Sequence, residues 1–183
     1  MIEFSALPIS ASLKERLAKA NFITTTPVQA AAIPPALEGQ DVLATAQTGT
    51  GKTLSFLIPI IERLAQPEHK NAIALVLLPT RELAMQVEQA CAQLARFPTA
   101  LVVGGLAEEP QLKNIRRGAR LIVATPGRLE DFLKRNLVKL NQVQILVLDE
   151  VDRMLDMGFQ PAIRRIVSHL PASRQTLCYS ATL

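Results

Sequence analysis

Beyond Gly39 the chain alternates between two kinds of segment. Short runs of Val, Ile, Leu and Ala are each followed by a longer stretch in which apolar residues recur every three or four positions. The short runs predict strands at Asp41–Thr45, Ala74–Leu78, Ala100–Val103, Leu121–Ala124, Ile145–Leu148 and Gln175–Tyr179. Successive residues in them are apolar, as in a parallel sheet covered on both faces. The longer stretches predict helices at Thr53–Leu64, Arg81–Arg96, Glu109–Arg116, Pro126–Lys134 and Gln160–His169. In the second of these Leu83, Val87, Ala90, Cys91 and Leu94 form one stripe. Strand–helix alternation of this kind implies a doubly wound α/β domain, with ligands at the carboxyl ends of the strands.

Before Gly39 the pattern is helical. Ser12 with Glu15 reads as a capping box ahead of Leu13 and Leu17. Thr26-Pro27 opens a second helix, and Pro34-Pro35 should split it into two short pieces. Residues 1–39 are therefore expected to belong to the same domain as the core at 40–183.

Composition narrows the class. Apolar residues make up 49% and charged residues 20% of 183, which excludes a disordered or fibrous chain. No apolar run is long enough to span a bilayer, and the start at Met1-Ile2-Glu3-Phe4 lacks the basic and apolar regions of a secretory signal. A cytoplasmic protein with no membrane partner is expected. Cys91, Cys178, His69 and His169 are isolated and form no metal-type spacing. The net charge of +4 is mild, but Lys113, Arg116, Arg117, Arg120, Arg128, Lys134, Arg135 and Lys139 are grouped. Such a group is a polyanion-binding surface or a solvated face, and charge alone does not choose.

Two segments carry chemistry. Ala46-Gln47-Thr48-Gly49-Thr50-Gly51-Lys52-Thr53 follows a predicted strand and opens a predicted helix, the context of a phosphate-binding loop. Gly49 and Gly51 allow a tight turn that brings backbone N–H groups to phosphate oxygens. Lys52 supplies a full charge for the outer phosphates of a nucleotide, and Thr53 a hydroxyl where its magnesium ion would sit. The general pattern begins with Gly, and here that place is Ala46. The competing reading is a glycine turn capping an ordinary helix. Downstream, Ile145-Leu146-Val147-Leu148 runs into Asp149-Glu150-Val151-Asp152. Carboxylates at the end of a buried strand need a cation or strong donors. Asp149 suits magnesium, and Glu150 suits orienting and deprotonating an attacking water.

With these residues in view, the chain resembles the DEAD-box family of ATP-dependent RNA helicases over nearly its whole length. Phe22, Thr24 and Gln29, in the run Phe22 to Pro27-Val28-Gln29, resemble the adenine-reading Q motif. Pro79-Thr80-Arg81-Glu82-Leu83, Gly104-Gly105 and Thr125-Pro126-Gly127-Arg128 resemble the three RNA-contacting elements of the family's first half. Asp149–Asp152 resembles the name-giving motif, and Arg153-Met154-Leu155-Asp156-Met157-Gly158-Phe159 continues it. Ser180-Ala181-Thr182 resembles the element that, with Asp152, couples nucleotide state to RNA binding. The resemblance implies a RecA-like P-loop NTPase domain with a mostly parallel sheet and helices on both faces. It implies ATP and magnesium as cofactors, RNA held through its backbone without regard to sequence, and a C-terminal RecA-like domain as partner, with the arginines that complete the ATP site.

Chemistry fits these assignments. A glutamine amide can pair with both the acceptor and the donor of the adenine edge, although Thr26-x-x-Gln29 is also a capping box. Phe22 offers a wall beside the base, or plain core. Thr125-Pro126 starts a helix whose free N–H groups suit a phosphate, and Arg81 and Arg128 add charge-assisted contacts. Two positions depart from the family: Val151, where the family has alanine, and Asn21, where it usually has glycine. The expected function is that of the ATP-binding half of an RNA helicase, nearly inactive alone. An RNA clamp that uses ATP without unwinding, and a non-helicase P-loop ATPase, are the alternatives.

Overall fold

A computed structural model describes residues 1–182. Six parallel strands, β1 (Val42–Thr45), β2 (Ile73–Leu77), β3 (Thr99–Val102), β4 (Leu121–Ala124), β5 (Val143–Leu148) and β6 (Gln175–Ser180), form one sheet in the order β1-β6-β5-β2-β4-β3. Eight α-helices accompany them: α1 (Ala11–Lys19), α2 (Pro27–Leu37), α3 (Lys52–Leu64), α4 (Arg81–Leu94), α5 (Glu108–Arg116), α6 (Pro126–Lys134), α7 (Val151–Asp156) and α8 (Gln160–Ser168).

Alternation along β2 divides the interior in two. Ala74 and Val76 face a core built with Phe56, Leu57 and Ile60 of α3 and Val87 and Cys91 of α4. Leu75 and Leu77 face a second core with Leu129 and Phe132 of α6, Met154 of α7 and Ile166 of α8. Crossovers leading away from β1 put α3 and α4 on the first face, and those returning put α5 to α8 on the second. This is the arrangement right-handed connections require. All six strands therefore present their carboxyl ends on one edge.

The six predicted strands and five predicted helices are all present, with ends shifted by a residue or two. Four expectations need correction. The cap of α1 is Ser10, whose Oγ accepts from the Leu13 N–H at 3.3 Å, so Ser12 lies inside the helix and Glu15 pairs with Lys19 instead. Second, α2 runs unbroken through Pro34 and Pro35. Those prolines forfeit two backbone donors, but burial of Ile33 and Ala36 in the first core and the Thr26 cap hold the helix together. Third, β1 is covered on one face only. Val42 and Ala44 pack on the first core, Leu43 is 65% exposed, and the second core draws nothing from β1 or β6 among the described residues. Fourth, α7 begins within the acidic segment, at Val151, where no helix is predicted. No helix among the described residues is long and apolar enough to cross a membrane.

Candidate nucleotide and nucleic-acid site

The carboxyl edge of the sheet is divided. The phosphate loop leaves β1, Asp149–Asp152 leaves β5, and Ser180–Thr182 ends β6; these are three neighbouring strands. Pro79–Arg81 leaves β2, Gly104-Gly105 follows β3, and Thr125–Arg128 leaves β4, the other three. The boundary is the β5–β2 pair, where the Asp149 N–H donates to the Leu77 carbonyl at 3.0 Å.

On the nucleotide side the loop turns at Gly49 (φ 86°) and Gly51 (φ 80°), both in the left-handed region. Gly51 has a second constraint: a Cβ there would lie 2.6 Å from Gln29 Nε2. Ala46 fits in place of the usual glycine because it is still sheet-like, its N–H donating to the Ser180 carbonyl at 2.9 Å. Gln47, Thr48 and Gly49 are exposed and Thr50 is half-buried, with its hydroxyl bonded to the Gln47 carbonyl at 2.7 Å. Lys52 opens α3 and is buried. Its Nζ lies 3.3 Å from Asp149 Oδ1 and 3.5 Å from Glu150 Oε1.

Both carboxylates are buried as well. Burial raises the Asp149 pKa above its ordinary value, and the Lys52 charge opposes that rise. Glu150 holds a left-handed backbone (φ 53°, ψ 50°), unusual for a residue with a side chain, at the start of α7. Asp149 Oδ1 accepts from the Glu150 N–H at 2.9 Å, and Glu150 accepts from Thr48 Oγ1 at 3.2 Å and from Arg153 at 3.4 Å. Val151 packs against the second core.

Two buried carboxylates thus share one buried ammonium beside a loop of N–H donors, with Arg153 also reaching Glu150. A magnesium ion fits this donor set: Asp149 and the half-buried Thr53 hydroxyl supply hard oxygens. Among the described residues no group of three or more His, Cys, Asp or Glu could cage a metal.

Ser180-Ala181-Thr182 touches both halves of this arrangement. The Ser180 carbonyl holds Ala46, while Thr182 Oγ1 donates to Asp152 Oδ2 at 3.3 Å. Burial raises the Asp152 pKa, but the Arg153 N–H and the Thr182 and Ser180 hydroxyls outweigh it, and the net shift is downward.

Gln29 is 3% exposed and bridges. Its Oε1 accepts from the Thr26 N–H at 2.8 Å, closing a full capping box with the Thr26 hydroxyl, and its Nε2 donates to the Gly51 carbonyl at 2.8 Å. Phe22 is 36% exposed and meets Phe4 edge-on at 6.4 Å. Asn21 is left-handed (φ 62°), the conformation glycine would take there. Thr24 is exposed and bridges antiparallel to Glu3.

Across the boundary, Pro79 is buried and Thr80 caps α4 through the Leu83 N–H at 3.3 Å. Arg81 lies against Gly105 (φ +78°), where a Cβ would sit 2.5 Å from Arg81 Nη1. Gly104 and Gly127 are open on the Cβ side. Thr125 begins α6 with no side-chain cap and Pro126 follows, so the first turn has free N–H donors. Arg128 lies over the Phe132 ring at 5.6 Å and donates to the Leu106 carbonyl at 3.3 Å and to Gln111 Oε1 at 3.4 Å. Neither Gln111 nor the Thr48–Glu150 bond is apparent from motifs; the one signal for Gln111 is an amide on the apolar stripe of Leu112 and Ile115.

Comparison with known proteins agrees with this geometry. The sequence profile of the DEAD/DEAH box helicases matches residues 26–183. DEAD-box ATP-dependent RNA helicase 14 of Arabidopsis thaliana is 43% identical over 188 residues, covering 100% of this chain and 30% of its own length. DEAD-box ATP-dependent RNA helicase CshA of Streptococcus pneumoniae is 44% identical over 185 residues, covering 100% of this chain and 35% of its own. The chain thus spans about a third of these relatives, at 30% and 35% of their lengths. A solved DEAD box protein from the hyperthermophile Methanococcus jannaschii superposes with a TM-score of 0.92 at 35% identity, over 100% of this chain and 51% of that one.

Proposed function

The chain belongs to the DEAD-box family of helicases, and we propose that it is the half of an RNA helicase motor that binds ATP and grips one stretch of RNA backbone. The observation that carries this reading is the divided edge: a phosphate loop with buried acidic partners on β1, β5 and β6, and glycines, arginines and an open helix start on β2, β4 and β3.

In this reading Phe22, Thr24 and Gln29 form the Q motif around adenine. The triphosphate takes the N–H groups of Thr48 to Thr53 and competes for Lys52, now held by Asp149 and Glu150. Asp149 and Thr53 would hold magnesium, which would supply charge neutralisation at the phosphates. Once Lys52 turns to the phosphates, Glu150 orients water and takes its proton as the water oxygen attacks the outer phosphorus and the bond to the leaving diphosphate breaks. The Ser180 and Thr182 contacts with Ala46 and Asp152 would pass nucleotide state to the rest of the molecule. RNA phosphates would meet Arg81, Arg128 and the first turn of α6, contacts blind to base sequence.

Arg81 and Arg128 lie on the RNA side, and Arg153 is engaged with Glu150. The family resemblance implies that the arginines that stabilise the transferring phosphoryl group come from a second RecA-like domain, which we propose as the partner. Turnover tests this: the chain should hydrolyse ATP very slowly with saturating RNA and faster by roughly 10³–10⁵ once a second domain is joined. Full RNA-stimulated turnover by the chain alone would contradict the two-domain mechanism.

A further inference from the structure

We propose that Gln111 is a positioning residue of the RNA-facing edge, holding Arg128 and the Gly104-Gly105 turn in one frame; this rests on the RNA-binding reading above. Gln111 belongs to α5, in none of the segments that resemble family motifs, and it is 5% exposed. A buried amide is costly unless bonded, and here its bonds run to two of the proposed RNA elements. Its Nε2 donates to the Val103 carbonyl at 2.9 Å and its Oε1 accepts from the Val103 N–H at 3.3 Å. Val103 follows the last residue of β3 and directly precedes Gly104. The amide thus takes the place of a strand partner just where β3 ends.

The same Oε1 accepts from Arg128 Nη1 at 3.4 Å. All three partners agree on the orientation of the amide, with oxygen toward the two donors and nitrogen toward the carbonyl. Arg128 has two further restraints, the Leu106 carbonyl and the face of Phe132. Leu106 lies in the turn that Gln111 anchors, so loss of Gln111 frees the guanidinium from two of its three supports. An unsupported arginine must be ordered by RNA at the moment of binding, which weakens the contact.

The measurement is the salt dependence of binding of a single-stranded RNA oligonucleotide to the parent chain, Gln111→Met, Gln111→Glu, Arg128→Ala, and Gln111→Met combined with Arg128→Ala. Gln111→Met keeps the length and removes all three bonds. Gln111→Glu keeps the oxygen facing Arg128 and pairs that charge off against phosphate, so it reports independently should the first variant fold poorly. Arg128→Ala and Gln111→Glu, which remove or pair off the charge at the phosphate, should lower the slope of log K against log salt by about 0.7, the share of one single-strand phosphate contact, whereas Gln111→Met should keep the parental slope and lower affinity several-fold. The double variant should lose no more than Arg128→Ala alone, and ATP affinity should be unchanged. Parental RNA affinity in folded Gln111→Met, a full parental slope in folded Gln111→Glu, or additive losses in the double variant, overturns the proposal. If Arg128→Ala binds RNA as the parent does, the RNA-binding reading fails and the proposal falls with it.

Discussion

Gln29 Nε2 donates to the carbonyl of Gly51 at 2.8 Å, so the residue proposed to read adenine is bonded to the loop proposed to hold phosphate. The link joins the start of α2 to the start of α3 and leaves the amide one donor and one acceptor position for the base. Gln29→Ala should therefore weaken ATP binding and erase its advantage over GTP. Because it also removes the side-chain half of a capping box, it should cost about 1 kcal/mol of stability. Calorimetric titration of ATP and GTP, with urea denaturation of both proteins, checks this; equal affinities for the two nucleotides in the parent would contradict it.

Gly51 should tolerate no side chain. Its φ of 80° and the 2.6 Å that would separate a Cβ at this position from Gln29 Nε2 act together. Gly51→Ala is expected to destabilise by roughly 1–2 kcal/mol from the left-handed backbone alone, and to reduce ATP affinity by pushing Gln29 aside. Gly49→Ala shares the backbone cost but has no atom within 4 Å of its Cβ. The difference in nucleotide affinity between the two variants isolates the steric part.

Asp149 should lower the stability of the nucleotide-free protein at neutral pH. Burial raises its folded pKa above the ordinary 3.8, so the folded state holds the proton more tightly than the unfolded state does. Stability is then lost as pH rises through the window above 3.8, and none is lost below it, where both states are protonated. Asp149→Asn should raise the melting temperature at pH 7, and the gain should vanish as pH falls toward 4. The same variant should lose magnesium-dependent nucleotide binding. Equal melting of parent and variant across that range would show that the Lys52 contact fully offsets burial.

Much of this was legible in the sequence. The alternation of apolar runs and helical stripes locates every strand, and the glycine-lysine-threonine and acidic segments fall at strand ends as their chemistry needs. What escaped has particular causes. Ser10 and Ser12 are equally good caps by type, and the tertiary bond from Ser10 to Glu62 at 2.7 Å selects the former. Pro34-Pro35 reads as a break because propensity is local, whereas Ile33 and Ala36 are held by the first core. Leu43 reads as a buried strand residue, and its exposure follows from β1 lying at the sheet edge. The Thr48–Glu150 bond joins residues far apart in the chain, and Gln111 bonds across a turn to Val103 and Arg128, pairings that no helix or strand period records.

On the edge proposed to hold RNA, Arg81 and Gly105 should behave as a unit. Gly105→Ala strains a backbone at φ +78° and puts a methyl where Arg81 Nη1 now lies. Both Arg81→Ala and Gly105→Ala should weaken binding of unrelated RNA sequences alike and reduce the salt slope by about one phosphate each, with little further loss when combined. Loss confined to one base sequence would contradict backbone recognition.

Lys52 tests the whole arrangement most directly, because one buried ammonium 3.3 Å from Asp149 is the charge on which the phosphate site depends. The measurement is calorimetric titration of magnesium-ATP into the parent and Lys52→Ala proteins, with circular dichroism confirming that both are folded. Loss of most of the ATP affinity, on the order of a few kcal/mol, with RNA binding retained across the β5–β2 boundary, is the predicted result. Unchanged ATP affinity in a folded Lys52→Ala protein would contradict it.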